Sequence, residues 1–72
     1  AIVFIEANKI ALQNDSARGY GETLESLLEI YSCDGSAKSD VQSNYKIIFS
    51  NSDVEAIESA MSQVLNSNNC KA

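Results

Sequence analysis

Cys33 and Cys70 are the two residues of this 72-residue chain whose pairing carries the most definite chemistry. The sequence contains no histidine, which excludes mixed Cys/His zinc sites, and two thiolates fall short of the four that an all-cysteine zinc site uses. In a reducing compartment the two would remain thiols; in an oxidising one they close a single disulfide. The expected bond is Cys33–Cys70. The lack of histidine also removes the side chain that most often performs acid–base catalysis near neutrality. A serine nucleophile would have only lysine or a carboxylate as its base.

The remaining reactive groups point the same way. Glu22, Glu25 and Glu29 recur at i, i+3 and i+7, the wet face of a helix rather than two carboxylates set across a cleft as glycoside hydrolysis requires. Asp34, Ser36, Ser39 and Asp40 offer oxygen donors, but "DGSAKSD" lacks the calcium-loop spacing, with Gly35 second and Lys38 inside. Gly19-Tyr20-Gly21 is too short to cradle a phosphate, and no lysine follows it. The sequence therefore predicts no catalytic residue, no metal and no cofactor. Asn14-Asp15-Ser16 is an N-x-S sequon, which makes Asn14 a candidate N-glycosylation position in a secreted chain.

Charge narrows the partners. The formal charge is −5, and Lys9, Arg18, Lys38, Lys46 and Lys71 are dispersed. Without a basic patch the chain would repel nucleic acid and an anionic membrane surface. No apolar run approaches the roughly 20 residues that span a bilayer. The partner expected is protein, either another copy or a second chain, with a glycan as an addition. The opening "AIVFI" has no methionine and no basic segment before its apolar run, as expected after removal of a signal peptide or of an initiator methionine. Together with the disulfide this predicts a secreted, extracellular protein.

Elements must position these groups. The run of residues 2–12 is rich in strand formers, with Val3 and Ile5 facing one way and Ile2 and Phe4 the other. "QNDSARGYGE" reads as a loop. Residues 22–32 read as a helix through Leu24, Leu27, Leu28 and Tyr31, with Tyr20 one turn earlier and Gly35 as its left-handed stop. A polar connector follows, with a short edge strand near Val41, and residues 45–50, "YKIIFS", form a second strand. Ser52-Asp53-Val54-Glu55 has the form of a capping box and starts a helix with Val54, Ile57, Met61, Val64 and Leu65 on one stripe. "NSNNCKA" ends it.

The β-α-β-α order predicts one domain over residues 1–72, an α/β fold (α+β as the alternative): a small two-layer sandwich with both helices on one face of a sheet. Parallel helices would bring Cys33 and Cys70 together. Closing that loop contributes about 4 kcal/mol by the chain-entropy argument, which matters because a chain this short buries only about 60% of its unfolded surface.

Two strands are too few for a stable sheet, yet both carry apolar side chains on both faces. The missing cover would come from a ferredoxin-like hairpin within the chain, from a second chain or from further copies. Ile2, Val3, Phe4, Ile5, Ile47, Ile48 and Phe49 are the expected assembly residues. The function expected is a secreted, non-enzymatic binding or assembly protein: a self-associating subunit of a filament or surface, or an effector- or toxin-like subunit. The alternative is a ferredoxin-like protease propeptide or inhibitor, against which stands the short tail Lys71-Ala72 beyond Cys70.

Overall fold

The computed structural model describes residues 2–67 and residue 70. Its described elements are all helices: α1 (Ile2–Ala7), α2 (Lys9–Arg18), α3 (Glu22–Ile30), α4 (Ala37–Ser43), α5 (Tyr45–Ile48) and α6 (Val54–Asn66). There is no strand among the described residues, so the expected α/β sandwich is overturned, and the α+β and ferredoxin-like alternatives fall with it. Asn68, Asn69 and Lys71-Ala72, expected to end the last helix and form a short tail, lie outside the described residues.

The opening segment shows why. A four-residue apolar run satisfies a period of 2 and a period of 3.6 equally well, and helix closes its hydrogen bonds locally without a neighbouring strand. Ile5, Leu12 and Ser16 are buried and Asn8 half-buried, one helical face. α1 and α2 are nearly one helix: the Asn8 N–H donates to the Phe4 carbonyl at 3.0 Å and the Leu12 N–H to the Asn8 carbonyl at 2.8 Å. The Asn8 side-chain amide also donates to the Phe4 carbonyl, at 3.0 Å, in competition with the ladder where the two helices meet.

The expected assembly residues are redistributed accordingly. Ile5 and Ile48 enter the core, Phe4 and Phe49 pack against it, and Ile2, Val3 and Ile47 are exposed. They line no sheet edge. Val41, expected on an edge strand, is buried in α4 together with Ala37. The Tyr45 ring of α5 and the Phe49 ring just after it meet at a tilt of 44°, with 5.8 Å between their centres.

The two helices expected from periodicity are present. α3 buries Leu24, Leu27 and Leu28; α6 buries Ile57, Met61 and Leu65. α6 packs against α1, α4 and α5, and α2 against α3, α4 and α5. Burying a leucine or isoleucine side chain contributes about 1.5–3 kcal/mol, so these two stripes supply much of the core.

Their ends differ from expectation. The residue at the start of α6 is Asp53, and no side chain caps it. Among the described residues, with Asp53 rather than Ser52 at the cap position, the expected capping box of Ser52 and Glu55 is not formed; the Asp53 N–H donates to the Asn51 side-chain oxygen at 2.8 Å, and the Ser52 carbonyl accepts from Lys9 Nζ at 2.7 Å. At the end of α3 the left-handed residue is Ser32, with φ 57°, not Gly35. Ser32 N–H donates to the Glu29 carbonyl at 3.0 Å and Cys33 N–H to the Leu28 carbonyl at 2.9 Å, the bond pair of a Schellman end.

Candidate functional site

Three constructions concentrate the polar chemistry. The first joins α2 to α3 through Asp15, which is buried. Its carboxylate accepts from the N–H groups of Thr23 at 3.0 Å and Leu24 at 3.2 Å and pairs with Arg18. The residue flanking α3, Gly21, has no side chain to satisfy those donors, so Asp15 caps α3 from a distance and places negative charge at its positive end. Gly21 has φ 143°, and a Cβ there would run into the Asp15 carboxyl group. The Arg18 guanidinium also lies 5.2 Å from the centre of the Tyr20 ring. From α4, Gln42 Nε2 donates to the Ala17 and Arg18 carbonyls at 3.2 Å each, satisfying groups that the end of α2 leaves open.

The second joins the end of α3 to α6. Cys33 and Cys70 form a disulfide with 4.6 Å between their Cα atoms. The pairing expected from sequence stands, although the parallel-helix sheet that suggested it does not. Beside it the Tyr31 hydroxyl donates to Glu58 Oε2 at 3.0 Å, and the Ser62 hydroxyl donates to the same oxygen at 2.9 Å. Burial pushes the Tyr31 hydroxyl above its ordinary pKa of 10.0; the Ser62 hydroxyl, 3.2 Å away, opposes this, and the Glu58 carboxylate adds to it.

The third is a shallow pocket of about 180 Å³ between α3 and α4, lined by Glu25, Leu28, Glu29, Cys33, Asp34, Gly35 and Lys38. Lys38 Nζ stands 3.4 Å from Glu25 Oε2. Asp34 accepts from the Ser36 N–H at 2.9 Å and from the Ser36 hydroxyl, and those bonds hold its carboxyl below the usual range. Among the described residues no group of three or more histidine, cysteine, aspartate or glutamate side chains is gathered to hold a metal ion.

The sequence-derived candidates are spread over these constructions. Asn14 is exposed on α2, while the Ser16 of its sequon is fully buried, its hydroxyl without a hydrogen-bond partner among the described residues. Glu22, Glu25 and Glu29 are exposed on α3. Tyr20, expected to extend the apolar stripe, is 61% exposed, and Tyr31 and Tyr45 are half-buried. Sequence reasoning did not find the Asp15 cap. Asp15 sits eight residues before Thr23, a tertiary relation for which no local pattern exists; the glycine at 21 was its one trace.

It also did not find the exposed apolar side of α1–α2. Val3 is 78% and Ile10 68% exposed, and Ala7, Ala11 and Ala17 are exposed with them. This face is the candidate binding surface. Among the described residues no helix is long and apolar enough to cross a membrane, so the face is not part of a spanning segment.

Fold and bonds together define a small all-helical domain stapled by one disulfide, of the kind found where the surroundings are oxidising. The chain belongs to a family described as "Protein of unknown function (DUF3015)", which matches residues 1–71. No curated protein and no solved structure matches it.

Proposed function

We propose that this chain is a secreted, non-enzymatic binding module that meets a protein partner through the exposed side of α1–α2. The observation that carries the reading is the exposure of Val3 on α1 and of Ile10 on α2, while Ile5 and Leu12 of the same two helices fill the core. Exposed apolar side chains that form a contiguous patch mark a contact surface, and Val3 and Ile10 are the two most exposed large apolar side chains among the described residues. The disulfide supports an oxidising compartment. The sequence without histidine supports binding over catalysis. The binding role expected from sequence is thus kept, but moved from strand edges to a helix face. A surface subunit or an effector-like subunit would use such a face alike.

Site-specific photocrosslinking tests this. A photoreactive residue at position 3 or 10, placed in the full chain in the organism that makes it, is expected to yield a discrete protein adduct in the secreted fraction. The same residue at exposed Ser59 on α6 is expected to yield none. Equal or absent adducts at all three positions would overturn the reading.

A further inference from the structure

Asp34 and Gly35 stand between α3 and α4, outside both helices, and both are exposed. They form the one aspartate–glycine step in the sequence. Glycine places no side chain between its own backbone nitrogen and the carboxyl group of the residue before it. At Gly35 the surroundings are open as well: a Cβ there would meet nothing within 4 Å, and among the described residues its N–H donates no hydrogen bond. The other aspartates are placed differently. Asp15 and Asp40 lie inside α2 and α4, before Ser16 and Val41, and Asp53 precedes Val54, where α6 begins. Inside a helix the next N–H is held in the i to i−4 ladder, and a β-branched neighbour crowds the approach to its nitrogen.

We propose that Asp34–Gly35 is a site of spontaneous backbone rearrangement, the conversion of Asp34 to isoaspartate, and that Ser36 restrains it. The Gly35 nitrogen forms a bond to Asp34 Cγ, the carboxyl C–OH bond breaks, and the proton of the nitrogen leaves with that hydroxyl as water. Water then opens the succinimide ring at either carbonyl. Opening at Cγ restores aspartate; opening at the main-chain carbonyl leaves Gly35 linked through Cγ and the former carbonyl as a free carboxylate. Water is the only co-reactant, and the mass of the product is that of the starting chain. Attack within one residue step has the advantage of any intramolecular reaction. It proceeds from the neutral acid, and Ser36 works against that form. The Ser36 N–H, at 2.9 Å, and the Ser36 hydroxyl donate to Asp34 Oδ1 and hold the carboxyl below its usual pKa. Glu25 and Glu29 of α3 and Lys38 of α4 line the same pocket; the two carboxylates favour the neutral acid and Lys38 the ionised one. The product disturbs the entry to α4. The Ala37 N–H donates to the Asp34 carbonyl at 3.3 Å, the group that becomes the new carboxylate, and a methylene enters the backbone immediately after Cys33.

The full oxidised chain, held for weeks at physiological temperature at about pH 5.5 and about pH 7.5, tests this, because the neutral acid is the scarcer the further the pH lies above the carboxyl pKa. After digestion, electron-transfer fragmentation tells isoaspartate from aspartate at unchanged mass. Isoaspartate is expected at Asp34 and not at Asp15, Asp40 or Asp53, and several-fold faster at the lower pH. Gly35→Ala, for which the site has room, is expected to slow its formation more than tenfold, and Ser36→Ala to speed it several-fold. Circular dichroism confirms that both variants keep their helices. No isoaspartate at Asp34 in the native chain, or equal amounts at all four aspartates, would overturn the proposal, as would a rate indifferent to Gly35→Ala or to Ser36→Ala.

Discussion

The two ends of α3 are held in opposite ways. At its start, a side chain from another helix does the work: the Asp15 carboxylate supplies the cap that Gly21 lacks, with Arg18 beside it. At its finish, the backbone turns through a left-handed serine into a covalent bond, Cys33–Cys70, with Tyr31 tied to α6 through Glu58. One end depends on a buried charge having every donor in place, the other on a cross-link that limits the unfolded chain. The start can be broken by a single methyl group, whereas the finish holds a conformational cost that substitution can relieve.

Three measurements sharpen that contrast, in descending order of effect. Breaking the disulfide by the double substitution Cys33→Ser, Cys70→Ser releases a loop with a sequence separation of 37 and is expected to cost about 4 kcal/mol, read as a fall in the urea midpoint. An unchanged midpoint would place the stability of this end in the Tyr31 contacts instead. Gly21→Ala adds a Cβ where the Asp15 carboxyl group sits, at a φ that disfavours side chains, and is expected to cost about 3 kcal/mol. A loss below about 0.5 kcal/mol would show that Asp15 can step aside. Ser32→Gly relieves the left-handed residue and is expected to stabilise by about 1 kcal/mol, seen as a higher thermal midpoint. A destabilisation would mean the greater freedom of glycine in the unfolded chain outweighs the relief.

Legibility in the sequence followed the same division. α3 and α6 could be read because their leucine, isoleucine and methionine residues repeat with a helical period over several turns, and the cysteine pair could be read because few chemistries suit two cysteines without histidine. α1 and α5 could not. "IVFI" and "IIF" are short apolar runs whose β-branched residues favour strands only weakly, and nothing within four residues separates the alternatives. The discriminating signal lay further along the chain: Ala37, Val41 and Ile48, all buried, keep a helical period across a stretch that otherwise looks like a polar loop and a strand. Reading residues 2–12 as a strand also hid the candidate face, since it set Val3 beside Ile5, which the helix separates into an exposed and a buried side chain. The Asp15 cap could not be seen from either side, because it depends on where α3 begins relative to a residue on another helix.

The covalent ring has a further meaning for the candidate face. It encloses residues 33–70 and so secures α4, α5 and α6 to the end of α3. α1 and α2 stand outside that ring, attached by packing on α6, α4 and α5, by the Lys9 and Gln42 bonds and by the link through α3. Separating α1 and α2 from the rest would therefore break packing and hydrogen bonds, those of Lys9 and Gln42 among them, but no covalent cross-link. A partner that bound α1–α2 only in this packed arrangement would add its binding energy to the stability of the domain.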